Sequence, residues 1–134
     1  MVTYIDSSAL VKRYISEPDS KFASSLISAD PVLVTSWLTF VEVRKAVSRA
    51  LEGPDLAAAH RALTEDFDKM AVVAPDVLTW QAAADIVDAL KIRSLDAIHL
   101  ACAQRLRVKN LRFITFDLRQ AIAARSLAFN VEGG

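Results

Sequence analysis

The chain has 134 residues, one cysteine, and sixteen Lys or Arg against sixteen Asp or Glu. That length predicts a single domain over residues 1–134 with a core that needs no disulfide or structural metal, and 53% apolar residues exclude a disordered chain. Zero net charge argues at first against a nucleic-acid partner; one cysteine excludes an intramolecular disulfide or thiolate-rich zinc site, and three glycines exclude a P-loop or dinucleotide fingerprint.

VTYID (2–6) reads as a short apolar strand. SALVKRYI (8–15) has helical spacing, with Ser7 or Ser8 as its N-cap. After Glu17-Pro18, Asp19 caps a helix to about Ala29, and Asp30-Pro31 marks a turn. VLVT (32–35) is a buried strand. Ser36 then caps a helix over about 37–52, which Gly53-Pro54 is expected to end. An Ala-rich helix follows over 55–69, then the strand AVVA (71–74). Pro75-Asp76 opens a helix to about Leu90, and Ser94 caps a very apolar helix to about Leu106. FITF (113–116) is a strand, Asp117 to about Leu127 a helix, and AFNV (128–131) a last strand. Strands apolar on both faces, separated by helices or helix pairs, predict an α/β three-layer sandwich with a mostly parallel sheet of about five strands.

No apolar run reaches the ~18–20 residues that a membrane span needs. The N-terminus meets Asp6 too early for a secretory segment, and a lone cysteine fits a reducing, cytoplasmic setting. Charge is uneven along the chain. Residues 50–90 carry two bases and eight acids, a net of −6, and residues 91–131 carry eight bases and two acids, a net of +6. That basic third holds Arg93, Arg105, Arg107, Lys109, Arg112 and Arg119, which are candidate phosphate contacts or ordinary surface charges.

Ligands of open parallel sheets bind beyond the carboxyl ends of the strands. Asp6 ends the first strand and Asp117 follows the fourth. Glu42 sits between Val41 and Val43 inside a helix, and Asp96 lies in the first turn of the most apolar one. Gathered at one pocket, four carboxylates would repel one another unless a hard divalent cation, Mg²⁺ or Mn²⁺, joined them. Each acid also has a plainer reading. Asp6 and Asp117 fit helix caps, Asp96 complements a helix dipole, and Glu42 pairs with a base such as Arg49 or points to water. Asp76 is read as a cap. His99, one helical turn beyond Asp96, could orient an acid or bind a softer metal with it, but it is read first as a core group, as is Cys102; Trp37, Phe40, Phe67 and Trp80 are read as core or dimer packing rather than base-stacking platforms.

YIDSSALVKRY near the start, a Glu inside an apolar helix, RSLDAIHLACA, and FITFD before a helix together resemble PIN-domain proteins, and more narrowly the VapC-type toxin ribonucleases of toxin–antitoxin pairs. The resemblance spans essentially the whole chain. It implies a five-stranded parallel sheet with catalytic acids Asp6, Glu42, Asp96 and Asp117 around Mg²⁺ or Mn²⁺. Asp6, Asp96 and Asp117 match the metal ligands. Glu42 is a ligand through water or orients the nucleophile, and Ser8 and Thr115 support the acids. It also implies a structured RNA substrate such as transfer or ribosomal RNA, a homodimer, and an antitoxin able to place an Arg in the acidic site; Arg93 and Arg119 of the basic third are the candidate RNA contacts. Thr-Phe-Asp stands where Thr-Tyr-Asp is frequent, which loses a phenol but no carboxylate. A catalytically silent PIN-like module that binds RNA or protein is the alternative. A phospho-acceptor receiver domain is a third reading, and it lacks adjacent acids after the first strand.

Overall fold

A computed structural model describes residues 2–134. The strands are β1 (Val2–Ile5), β2 (Val32–Ser36), β3 (Ala71–Val73), β4 (Arg112–Ile114) and β5 (Asn130–Glu132). They form one sheet in the order β3-β2-β1-β4-β5, with every pairing parallel. Between them run α1 (Ser7–Leu10), a 3₁₀ turn (Val11–Arg13), α2 (Ser20–Ser28), α3 (Trp37–Ala50), α4 (Gly53–Lys69), α5 (Val77–Leu90), α6 (Ser94–Gln104) and α7 (Leu118–Ser126). The expected α/β sandwich is what the chain forms.

Alternation along the central strands divides the core into two layers. Tyr4 and Phe113 are register partners on one face, and their rings stack 5.3 Å apart. They pack with Leu100, Ala101, Ala103 and Ala124 from α6 and α7. Ile5 and Ile114 face the other way and meet Leu10, Val43, Val47, Leu63 and Phe67. Both central strands are therefore covered on both sides, as parallel strands require. The chain turns one way from β1 to β2 and the other way to β4. The crevice at the carboxyl ends of β1 and β4 is the switch point of the sheet.

Several boundaries differ from expectation, each for a local reason. Gly53-Pro54 does not end α3; Leu51 and Glu52 leave it in extended backbone, and Gly53-Pro54 opens α4. Proline suits a first helical turn because its missing N–H has no partner there to lose. Arg93, not Ser94, holds the cap position of α6, with no side-chain cap bond. The helix expected over 8–15 tightens into the 3₁₀ turn after Leu10. β4 ends at Ile114, and β5 begins at Asn130 because Ala128 takes left-handed backbone (φ 67°).

Trp37, Phe40 and Phe67 do form one ring cluster, with centroids 5.1–5.6 Å apart, although Trp37 stays half exposed. Trp80 is also half exposed and joins neither core layer. Asp76 caps α5 in a reciprocal capping box with Thr79, so it is committed to helix capping rather than poised as a receiver phospho-acceptor. His99 and Cys102 are both buried. Burial pushes the Cys102 thiol up to about 11, consistent with an inert core group.

Candidate active site at the carboxyl edge of the sheet

Asp6 follows β1 and stays tied to the sheet, its N–H donating to the Ile114 carbonyl at 3.2 Å. Its extended backbone makes it the N-cap of α1. Oδ1 accepts from the Ala9 N–H at 3.2 Å and from the Ser8 hydroxyl at 2.7 Å. Asp117 is likewise the N-cap of α7: Oδ1 accepts from the Gln120 N–H at 3.0 Å. The cap reading of these two acids is thus correct for one oxygen of each. In both, capping falls on Oδ1 and Oδ2 is left for another partner.

For Asp117 that partner is Arg93, whose Nη2 donates to Oδ2 at 3.2 Å. The Nε of the same guanidinium donates to Asp96 Oδ2 at 3.0 Å. Arg93 therefore bridges carboxylates on α6 and at the end of β4 while its own side chain remains 65% exposed. Gln120 braces the same two elements, donating from Nε2 to the Asp96 carbonyl at 3.0 Å.

Ser8 and Thr115 join the two strand ends. The Ser8 hydroxyl accepts from the Phe116 N–H at 2.8 Å and lies 3.1 Å from the Thr115 hydroxyl. Thr115 Oγ1 in turn accepts from the Asp117 N–H at 3.1 Å. A chain of hydroxyls thus runs from Asp6 to Asp117. Gly133 lies against the backbone of Thr115: its own backbone is left-handed (φ 139°), and a Cβ there would run into the Thr115 carbonyl.

Glu42 reaches this edge from α3, and Arg49 is not among its partners. Its Oε1 accepts from the Ser7 hydroxyl and lies 2.6 Å from His99 Nε2. Partial burial pushes the Glu42 carboxyl up, but His99 and Ser7 outweigh it and hold the group below the ordinary carboxylate range. His99 is a core histidine by burial, yet both ring nitrogens are engaged, Nδ1 with the Tyr4 hydroxyl at 2.9 Å. Tyr4, Ser7 and Gln120 are neighbours of these acids that sequence reasoning missed, whereas His99 was weighed there both as a core group and as one that could orient an acid. The one signal was spacing: Tyr4 lies two residues before Asp6, and His99 one helical turn after Asp96.

Among the described residues, no three His, Cys, Asp or Glu side chains already close into an ion-holding group. The chemistry of the donors nevertheless fits a hard divalent cation. All are carboxylate oxygens at a switch-point crevice, and one cationic side chain already stands between two of them. Burial raises the Asp6 carboxyl, with His99, Thr115, Ser8 and the Ala9 N–H pulling against it. A cation would relieve that cost.

The direction of this shift predicts a trade between stability and site chemistry. A carboxyl raised in the folded state binds protons more readily than in the unfolded chain. Its charge then opposes folding once pH exceeds the folded value, and the penalty disappears as pH falls to the ordinary Asp range. Asp6→Asn keeps an acceptor for Ala9 and Ser8 and removes the charge. In EDTA at pH 7 this variant is expected to melt at a higher temperature than the parent, with the gap closing toward pH 4. Calorimetric scans across pH check this, and a lower melting temperature at pH 7 would show that the carboxylate stabilises the fold.

Of the basic candidates, Arg119 lines a cavity of about 390 Å³ that borders Asp96 and also includes Lys91, Arg93 and Ile122. Arg112 is a correction: it is buried among Asp30, Glu132 and the Leu26 carbonyl and is not free to meet a phosphate. Arg105 makes a surface pair with Asp76 at 3.1 Å.

The PIN domain family model matches residues 3–126. Ribonuclease VapC46 of Mycobacterium tuberculosis is 34% identical over 128 residues, which cover 96% of this chain and 94% of the relative. A solved structure described as the Sarcin-Ricin loop cleaving toxin VapC20 of Mycobacterium tuberculosis aligns with TM-score 0.74 and 17% identity, over 92% of this chain and 95% of that one. A toxin–antitoxin complex from Klebsiella pneumoniae aligns with TM-score 0.67 and 18% identity, over 86% of each chain. With a matched sequence spanning nearly its whole length and the fold these proteins share, the chain belongs to the PIN-domain family and is a homologue of the VapC ribonucleases.

Proposed function

We propose that the chain is a Mg²⁺- or Mn²⁺-dependent endoribonuclease, the toxin of a toxin–antitoxin pair. The observation that carries this reading is Arg93: one exposed guanidinium bridges Asp96 and Asp117 at the switch point of the sheet, where β1 also ends in the buried Asp6. Carboxylates so placed call for a cation. Asp6, Asp96 and Asp117 would hold the metal, which when bound lowers the pKa of a water and neutralises charge on a phosphate.

The chain's own residues do the rest. Asp6 and Asp117 hold their capped oxygens rigid through the α1 and α7 N-termini, so their other oxygens are preorganised. Ser8 and Thr115 fix the distance between the two strand ends. Glu42, kept ionised by its neighbours, can accept a hydrogen bond from an attacking water. Arg93, drawn off the acids by an incoming phosphate, and Arg119 supply positive charge on the exposed side. The zero net charge of the chain is no obstacle. Apart from the four site acids it has sixteen bases against twelve acids, and Lys91, Arg93 and Arg119 line the cavity that borders Asp96.

The closest test is direct. Protein purified free of any antitoxin should bind Mn²⁺ in a calorimeter and cleave total RNA with Mg²⁺ or Mn²⁺ but not in EDTA. No metal binding would sink the reading in favour of the silent module. Arg119→Ala should raise KM for RNA and reduce the slope of log affinity against log salt by about 0.7, one phosphate contact on a single strand. An unchanged slope would remove Arg119 from the interface.

The solved neighbour described as cleaving the Sarcin-Ricin loop and the fold's match to toxin–antitoxin complexes support a structured RNA target and an antitoxin partner. Large apolar side chains stay exposed, among them Val41, Val77, Leu118 and Ile122, which accords with work in a homodimer or with a partner rather than alone. Sequencing RNA ends after a short pulse of expression identifies the target.

A further inference from the structure

His99 and Tyr4 are buried polar groups that the reading above leaves without a task. We propose that they are positioning residues for Glu42: together they lock one orientation of the imidazole, so that its Nε2–H holds Glu42 Oε1 and leaves Oε2 free to accept from the attacking water. The inference rests on the nuclease reading and assigns a role within it.

An ionised carboxylate can only accept, so the 2.6 Å contact between Glu42 Oε1 and His99 Nε2 requires the proton on Nε2. In the neutral ring Nδ1 is then an acceptor, and the Tyr4 hydroxyl, 2.9 Å away, donates to it. Tyr4 is fully buried, and a phenol carries its proton near neutral pH, so its hydroxyl is the donor of this bond. Tyr4 thereby decides which way the ring faces. A half-turn about the Cβ–Cγ bond would exchange Nδ1 for a carbon, forfeiting the phenol bond, and would aim a carbon at Glu42. Edge-on packing of the two rings, 6.0 Å between centroids at 73°, supports the same orientation.

The Ser7 hydroxyl completes the arrangement. It bonds the same Glu42 oxygen and lies 3.3 Å from His99 Nε2. Two donors on Oε1 fix the carboxylate plane, as outer hydrogen bonds orient ligating groups in metal sites generally. Because α1, α3, α6 and β1 each contribute one residue, the unit also ties both core layers to the edge of the sheet.

Three measurements test it. In ¹⁵N-imidazole spectra of the parent chain, His99 should show a protonated Nε2 and an unprotonated, hydrogen-bonded Nδ1 near pH 7.5. Tyr4→Phe, which keeps the ring and removes the hydroxyl, should shift the Nδ1 resonance. His99→Leu should lower kcat about 10–100-fold, the usual loss for an outer-sphere partner, with KM within about twofold. His99→Gln, whose amide N–H reaches the Nε2 position, should recover most of that loss, and His99→Asn, which reaches only the Nδ1 position, should not. A neutral His99 carrying its proton on Nδ1 would overturn the proposal. So would equal kcat for His99→Leu and the parent chain, or equal losses for Gln, Asn and Leu. An inactive parent chain would instead overturn the nuclease reading, and this role with it.

Discussion

Asp96→Asn is expected to reduce metal-dependent RNA cleavage by about 10³-fold or more while leaving the fold intact. The substitution keeps an amide oxygen in the first turn of α6 but removes the charge that faces Arg93 and, in the proposed site, the cation. Metal-assisted charge stabilisation is worth several kcal/mol, and roughly 4 kcal/mol corresponds to about 10³ in rate. Stability should change little. The lost partner is one arm of a surface ion pair whose guanidinium is 65% exposed, and such pairs contribute at most about 1 kcal/mol. Single-turnover cleavage at saturating Mn²⁺, with melting in EDTA, separates the two effects. Activity within tenfold of the parent would remove Asp96 from the ligand set. A collapse in melting temperature would make its role structural.

Arg112→Leu should destabilise the fold strongly although it lies away from the site. Arg112 sits in β4 and is 6% exposed. Its guanidinium meets Glu132, the Leu26 carbonyl at 2.7 Å and Asp30 at 3.5 Å, and Thr3 hydrogen-bonds Asp30 as well. Leucine fills part of the volume but strands Asp30, which is 11% exposed, without its cation. Removing one member of a buried pair typically costs about 3–5 kcal/mol because the other charge is left uncompensated. Glu132 is more exposed and recovers some hydration, which places the expectation near the lower end. Urea unfolding measures it. The double variant Arg112→Leu with Asp30→Leu should recover much of the loss, because it removes the stranded carboxylate. If the single variant cost less than about 1 kcal/mol, the network would be ornamental.

These two positions also separate what local sequence can show from what it cannot. Asp96 stood out because a charge in the first turn of an apolar helix is anomalous wherever that helix packs. Arg112 stood out only as one base among eight in a basic segment, and was grouped with the phosphate candidates. Its partners lie 82 and 20 residues away in sequence, so nothing near it indicated burial. The same holds for Glu42. Its strange place between two valines was visible, but the nearby base Arg49 was the natural guess, and the actual partner is His99, 57 residues on. Gly53-Pro54 misled for a different reason: the same dipeptide suits the end of one helix and the start of the next, and only the extended Leu51 and Glu52 decide between them.

By itself the sequence determined the alternation of strands and helices and the parallel sheet, and it placed Asp6 and Asp117 at one edge, because apolar periodicity is local and a polar residue following a buried parallel strand must emerge at its carboxyl edge. Only the tertiary structure decided how those acids are used. It split Asp6 and Asp117 into one capping and one outward oxygen, set Arg93 between Asp96 and Asp117, and turned His99 from a core filler into the partner of Glu42. The physical reason is the range of the interactions. Helix caps and side-chain periodicity act over three or four residues, whereas hydrogen bonds and ion pairs at a switch point join elements that meet only once the sheet has formed.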